Sequence, residues 1–531
     1  MIYMSIKEPP DKYSIIKIPF KHFKRNEVNY NSIYDAIQRM HKLRTQTSQM
    51  LRLFIISQYE NNKDLIEIND LVIKFCMKSL CLSSAGPQPK GDSLKLHNLF
   101  KEFYESDYKD LINQDKINSF NLSSSIDYAV IEILTNIENN IKVHFINRIR
   151  QYVNQIFKKE HDDILDKLKG KQKQETNKQL KKELNQIKND LLNNTNLSNE
   201  KYHNWINEVK NKILPKEYTN SYNYDVTVNP QKYLKYMLYM SKDLEEKKLK
   251  QFQVFPLTTD IITKHIQIDT KGLIDLLFND DNKKLTDLPE NATKSELFND
   301  INKNKKLWNY FFKIDKRNLK RTNYTFDNAI LTDGYSVSIR YINNKYFEKN
   351  ETKKKNRINA NKRNKEEKKG KTKDEINKLE EEWEKIKKNK LEEYKKQQAE
   401  KRKNKTEEEK IKEKKKAIEE KHQEFKYIDE LNKEEMEELK EKKKVYIDPG
   451  KRSLLMMIDD EYDCNLKKGT KLNYTNKMRI KKTKRLVFQK CKEKNKKKNG
   501  IDKIENELMG FNSKSCKIAT FKEYIKKKNE I

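Results

Sequence analysis

The chain has 531 residues and a formal net charge of +34, from 115 Lys+Arg against 81 Asp+Glu. It is 35% hydrophobic and 37% charged, so long stretches cannot be core, and two to four compact domains separated by solvated helical or disordered segments are expected. A basic excess of this size points to a polyanion, of which nucleic acid is the commonest inside cells. An acidic membrane surface is the competitor, but no apolar run of about eighteen residues is present to span a bilayer. The first ten residues lack the apolar core of a signal peptide. The five cysteines are odd in number, scattered and never spaced as CxxC, which fits a reducing intracellular compartment and gives no zinc site. The histidines are scattered too, no GxxxxGK[ST] occurs, and ten glycines in the whole chain argue against a Gly-rich phosphate loop.

In chain order, Ser14–Phe20 reads as a strand with Pro19 at its end. Ser32 and Asp35 form a capping-box-like start to a long helix whose Ile33, Ile37, Met40, Thr47, Leu51 and Phe54 share one face. Arg39 and Arg44 lie off that face, available for phosphate. Residues 60–120 are mixed helical with a loop at Ser83–Pro89. A second long helix runs from about Ser125 to Phe157, with apolar steps of three or four from Ile126 to Ile156 and a basic flank of Arg148, Arg150, Lys158 and Lys159. Residues 160–200 read as an exposed helix or flexible insert, and Tyr233–Lys250 is helical again. Residues 26–250 thus form a helical domain with basic surfaces.

Residues 251–345 are β-prone. Phe252–Thr259 and His265–Thr270 read as extended, a short helix follows through Leu273, Leu276, Leu277 and Phe278, and Leu307–Phe312 is an aromatic core cluster. Two β-prone runs flank Asp333-Gly334, a hairpin signal, and the N-terminal strand (1–25) is expected to join them. Residues 346–444 form a Lys/Glu-rich helical or disordered insert. There Ile376, Leu379, Trp383 and Ile386 keep a heptad-like spacing that slips before Leu391 and Tyr394, which suits a solvated helix or a clamp along a nucleic-acid backbone. Phe425, Ile428, Leu431 and Leu439 mark a last amphipathic helix before the closing segment, 445–531.

That segment opens with a short strand, Val445–Asp448, a tight turn, Pro449-Gly450-Lys451-Arg452, and a second strand from Ser453. Pro presets φ for a turn and Gly supplies positive φ. Asp448 is either a turn-former or the first metal ligand of a nuclease. Lys471–Ile480 reads as a third strand, Lys481–Arg485 and Lys496–Lys498 are basic runs, and Ile501–Ile531 forms closing helices with Ile504, Leu508 and Phe511 as core. Lys451, Arg452, Arg479, Lys481, Lys482, Lys484 and Arg485 are the candidate nucleic-acid contacts.

Strand, Asp-Pro-Gly, strand, strand and basic helix is the order that opens an RNase H-like fold. The DPGKR phrase resembles the first RuvC-like motif of the Fanzor/TnpB family, transposon-encoded RNA-guided nucleases also described as OrfB-type transposases. Phe255-Pro256-Leu257, Thr332–Ile339, Phe425–Leu431 and Tyr474–Arg479 fit the Fanzor branch, in order, over roughly residues 250–530. The resemblance implies a multidomain α+β protein: a helical recognition domain, a small β wedge domain, long charged helices and the N-terminal portion of a RuvC-like domain around a guide RNA–DNA duplex. In such effectors the guide reads sequence while protein binds backbone and shape. It further implies that Asp448 is a Mg²⁺ ligand, one of several carboxylates needed for two-metal cleavage.

The family's second-motif Glu, its CxxC zinc ribbon and its final Asp would lie beyond residue 531. With the turn as drawn, Asp459 stands about 20 Å from Asp448, and Glu505 or Glu507 on a closing helix is a weaker substitute. The expectation is a truncated member that binds RNA and DNA, in the nucleus or wherever mobile-element DNA resides, and lacks nuclease activity as encoded. The alternatives are an active Mg²⁺-dependent nuclease completed by a downstream frame or second chain, and a non-enzymatic basic coiled-coil RNA-binding scaffold.

Overall fold

The computed structural model describes residues 12–82, 89–112, 115–256, 263–289, 292–299, 301–344, 444–463, 465–466 and 469–530, with isolated positions between 346 and 437. In chain order the principal elements are β1 (Tyr13–Pro19), α1 (Asn31–Glu60), α2 (Asp70–Ser79), α3 (Asp92–Phe103), α4 (Ser123–Ile156), α5 (Gly170–Asn193), α6 (His203–Ile213), α7 (Leu234–Glu246), β2 (Ile266–Asp269), α8 (Thr270–Leu277), α9 (Ile301–Phe311), β3 (Tyr324–Thr332) and β4 (Ser336–Asn343). After the insert come β5 (Val445–Asp448), β6 (Ser453–Asp459), β7 (Lys471–Thr475), α10 (Asn476–Lys482), α11 (Arg485–Lys498), α12 (Ile501–Met509) and α13 (Ile518–Glu530). The chain is α+β. Ser14–Tyr341 and Gly500–Ile531 form one compact unit, and Ile342–Asn499 falls in a second. No helix among the described residues is long and apolar enough to cross a membrane.

The larger unit is built on α1 and α4. Ile33, Ile37, Met40, Thr47, Leu51 and Phe54 are all buried, as are Ile126, Val130, Ile137, Ile141, Phe145, Ile149 and Tyr152. The three- and four-residue steps therefore report the packed faces of both helices. The start of α1 differs from expectation. Its N-cap is Tyr30, without a side-chain cap bond. Ser32 instead donates to the Leu276 carbonyl at 2.6 Å, and Asp35 is held by Arg39. A tertiary acceptor and an i,i+4 partner outcompete the local cap. The stretch 160–200 is more than a solvated insert, since α5 buries Leu180, Leu184, Ile187 and Leu191.

The sheet of this unit has the order β1-β4-β3-β2, so the N-terminal strand does join the hairpin strands. Phe252–Pro256 carries no strand. The hairpin turns at Asp333-Gly334-Tyr335. Asp333 accepts from the N–H groups of Tyr335 (2.9 Å) and Ser336 (2.7 Å). Burial raises the pKa of its carboxyl, but those bonds and the neighbouring His265 outweigh it and leave it lowered. Gly334 has φ +86°, and a Cβ there would come 3.0 Å from the Tyr34 ring on α1, so both conformation and space require glycine. Asp269 ends β2 and caps α8 by accepting from Gly272 N–H at 2.8 Å. It also accepts from Ser124 and Tyr128 of α4, which ties sheet to helix.

Residues 500–531 pack in this same unit, whereas the sequence pattern groups them with 445–499. Ile504, Leu508 and Phe511 are only half-buried. The anchoring residues are Cys516, Phe521 and Ile525, each at most 1% exposed. The smaller unit contains the second sheet, antiparallel with order β5-β6-β7. The expected heptad residues Ile376, Leu391 and Tyr394, the helix residues Phe425, Ile428, Leu431 and Leu439, residues 83–88 of the Ser83–Pro89 loop and the tract Glu351–Lys365 lie outside the described residues.

One buried carboxylate contributes to the acid response of the helical unit. Asp225 is fully buried and accepts from Tyr233 (2.6 Å), Asn229 (2.9 Å), Lys232 (3.2 Å) and the Thr219 N–H (3.3 Å). Burial alone would raise its pKa, but these donors outweigh it and bring the carboxyl down to about 2. A pKa depressed below the unfolded value near 3.8 gives stability that is present above that value and lost as pH falls towards 2, worth about 2 kcal/mol. Asp225→Asn is expected to lower the urea midpoint at pH 7 by the equivalent of ~2–3 kcal/mol. The gap from wild type should narrow between pH 4 and 2, and urea titrations by circular dichroism at both ends of that range check it.

Candidate nucleic-acid interface

β5 and β6 pair in the register Val445↔Asp459, Tyr446↔Ile458, Ile447↔Met457 and Asp448↔Met456. The link is therefore wider than a tight turn: residues 449–455 separate the paired positions, and the β6–β7 register shifts between Ser453 and Leu455. Gly450 does not adopt positive φ, unlike five other glycines. Its requirement is space, because a Cβ would lie 2.8 Å from the Ser453 carbonyl oxygen. This register corrects the position of Asp459. It stands three residues along from the partner of Asp448, about 10 Å rather than 20 Å away at ~3.3 Å per residue.

Orientation separates the two acids more firmly than distance. Side chains alternate between faces along a strand, and directly opposed residues share a face. Asp448 therefore shares a face with Tyr446, Met456 and Ile458, while Asp459 shares the other with Val445 and Ile447. Asp459 is buried and Asp448 exposed. Asp460 accepts from the Lys444 N–H at 3.2 Å, and Asp463 accepts from Asn465 (2.7 Å) and Leu466 (3.1 Å) N–H groups, so both shape the strand ends. Glu507 pairs with Lys527 at 3.4 Å, and Glu505 sits on the same helix, α12, of the larger unit.

Mg²⁺ asks for near-octahedral oxygen ligation with more than one carboxylate or phosphate donor. Among the described residues no group of three or more His, Cys, Asp or Glu could hold a metal ion. Asp448 offers a single exposed carboxylate, and this donor set does not fit a two-metal centre.

The cations do converge. β6 and β7 run antiparallel, so Thr475, opposite Ser453, lies at the same end of the sheet as the 449–452 link. The Asn476 N–H donates to the Arg452 carbonyl at 2.9 Å, joining that link to the start of α10. The expected third strand stops at Thr475, whose hydroxyl accepts from Met478 N–H at 3.1 Å and caps α10. Arg479 accordingly lies on a helix rather than a strand, followed on the same helix by Lys481 and Lys482 of the basic run. Lys484 follows in the left-handed region at φ 51°, and Arg485 opens α11. Lys451, Arg452, Lys481, Lys482, Lys484 and Arg485 are exposed and Arg479 half-buried. Lys482 Nζ lies 5.5 Å from the centre of the Tyr474 ring, placing an aromatic beside the cations.

The arginines offered for phosphate in the helical unit are differently used. Arg39 is paired with Asp35 at 2.6 Å and donates to the carbonyls of Asn118 and Phe120. Arg44 is buried and paired with Glu132 at 2.9 Å. Asp35, four residues before Arg39, is visible in the sequence as a partner; Glu132 is not. Arg148 is half-buried, and Arg150, Lys158 and Lys159 are exposed.

Residues 266–343, from β2 to β4, match a family model described as a domain of unknown function (DUF8286). No curated protein matches the chain.

The two roles in the 448–452 link can be separated. Gly450→Ala is expected to cost ~1–3 kcal/mol by forcing the Ser453 carbonyl aside. It should speed amide hydrogen exchange of β5 and β6, read by mass spectrometry. Asp448→Asn, at an exposed position, should leave that exchange unchanged.

Proposed function

We propose that this chain is a nucleic-acid-binding protein related to the Fanzor/TnpB RNA-guided nucleases. In this reading the sheet β5-β6-β7 is the opening of an RNase H-like domain, and the chain binds nucleic acid without a complete cleavage centre among its described residues. The observation that carries the reading is that Lys451 and Arg452, in the link after Asp448, are joined through the Asn476 N–H to the start of α10, which carries Arg479, Lys481 and Lys482 and leads on to Lys484 and Arg485. A strand–link–strand–strand–helix meander with its carboxylate and cations at one end suits a phosphodiester backbone held against a shallow surface. Exposed lysines and arginines neutralise phosphates and carry no sequence readout. Sequence would then come from a guide strand, as the resemblance implies, with the protein reading backbone and shape.

The chemistry available is electrostatic. Each phosphate neutralised on duplex DNA contributes about 0.9 to the slope of log K against log salt. Replacing Lys481, Lys482, Lys484 and Arg485 by Ala is expected to weaken binding of unrelated duplexes alike and to flatten that slope by about 3–4. Fluorescence anisotropy across a salt series measures both. A salt response that is flat in the wild type would overturn nucleic-acid binding as a whole. Incubation with Mg²⁺, RNA and DNA is expected to leave the DNA uncut, and specific cutting abolished by Asp448→Ala would overturn the inactive reading.

One observation favours a second reading, an active nuclease completed by another polypeptide. The sheet face opposite Asp448 presents, beside the buried Asp459, four apolar side chains to solvent: Val445, Ile447, Leu455 and Leu472 are 37–52% exposed. Three strands with one uncovered apolar face are an unfinished core. Adding the product of the adjacent reading frame should then yield Mg²⁺-dependent cutting that Asp448→Ala removes.

A further inference from the structure

The larger unit holds a cavity of about 600 Å³ between α1, α4, the segment 251–256 and α13. That volume is in the range of sites for nucleotide-sized ligands, ~300–1,000 Å³. Its walls carry Arg44 and Arg52 from α1, Arg148 from α4, Lys264 and Lys528. Against these five cations its described lining offers one carboxylate, Glu132, which Arg44 engages at 2.9 Å.

Arg44 is thus compensated by Glu132, whereas Arg52 is positioned without a paired carboxylate. Arg52 is 7% exposed and gives its terminal nitrogens to the carbonyls of Ser513 (2.9 Å) and Ser515 (3.1 Å). Carbonyls fix a guanidinium without cancelling its charge, and Glu245, the carboxylate Arg52 senses, is occupied by Ser515 and Cys516. The Nε groups of Arg44, Arg52 and Arg148 are buried with no hydrogen-bond partner. Burial lowers the pKa of all three: holding these cations out of water is costly, and a bound anion offsets that cost. The remaining wall is mixed: amides such as Asn136, Asn140 and Gln253 alternate with apolar side chains, among them Ile133 and Tyr524, and Val143, 64% exposed, stands at the mouth. An inorganic anion would fill only a fraction of such a space and leave the apolar side chains unused.

We propose that this cavity binds a nucleoside 5′-phosphate, either free or as the 5′ end of a strand, with Arg148 and Lys264 holding the phosphate and Ile133, Val143 and Tyr524 receiving the base. Arg44 and Arg52 supply the fixed positive field behind it. The site lies in the helical unit and does not depend on the role given to Asp448.

The test uses the full chain and isothermal calorimetry with adenosine 5′-monophosphate, adenosine and inorganic phosphate. The monophosphate is expected to bind at least tenfold more tightly than either of the others, and Arg148→Met with Lys264→Met should remove that preference. Lys481→Ala with Lys482→Ala should keep it. Ten-nucleotide strands with 5′-phosphate or 5′-hydroxyl ends distinguish the sources. A phosphate-dependent gain shows that a strand end enters the cavity; no gain, with monophosphate binding retained, assigns the free nucleotide. In the wild-type chain, adenosine monophosphate should also slow phenylglyoxal modification of Arg148 relative to the exposed Arg150, a readout that needs no variant to fold. Equal binding of monophosphate and adenosine, equal binding of inorganic phosphate, or unprotected Arg148 would each overturn the proposal.

Discussion

Burial of two guanidinium groups on α1 is the constraint around which the helical unit is arranged. A thirty-residue helix whose apolar face reaches nearly all round must place its polar residues somewhere, and Arg44 and Arg52 go inward. Each charge removed from water requires fixed partners. Arg44 draws in Glu132 of α4 and the His265 carbonyl just before β2. Arg52 draws in the carbonyls between α12 and α13 and stacks 4.1 Å from the Phe521 ring. Segments more than 450 residues apart in the chain are thereby brought to one helix, and the cavity they surround inherits its positive field.

The smaller unit follows a different logic. Its strands are short and their side chains largely exposed, so pairing rather than burial sets the geometry. The register places Asp448 at the end of the sheet next to the Lys451–Arg452 link and, of the acids in this sheet, leaves Asp459 on the face away from Asp448. The link to α10 is a single backbone hydrogen bond, and the helix begins where Thr475 provides a cap.

What was legible in the sequence follows from the range of each interaction. The faces of α1 and α4, the Asp333-Gly334 hairpin and the Leu307–Phe312 core are local patterns of period and turn chemistry, and each is found in the fold. The capping box at Ser32 failed because a distant carbonyl was the better acceptor. Arg52 carried no signal at all, since its partners are backbone atoms more than 450 positions away. In Lys471–Ile480 the β-prone Tyr474 and Thr475 end the strand, and the Thr475 hydroxyl caps a helix where the sequence reads as more strand. Asp448 was legible as an acid beside a turn, but its isolation depends on strand register, which a link of uncertain length leaves open. Its proposed role still rests on resemblance, whereas its surroundings rest on geometry.

The exposed run Leu486, Val487 and Phe488 at the start of α11, 54–65% accessible, has a consequence for the behaviour of the protein in solution. These side chains are attractive to one another, and what keeps neighbouring molecules apart is the mutual repulsion of a chain carrying +34 charges. At 0.1 M salt that repulsion is screened beyond about 10 Å, while apolar attraction is untouched. Rising ionic strength thus removes the colloidal protection of these side chains, and on the proposed function a bound nucleic acid, by reducing the net charge, would act in the same direction.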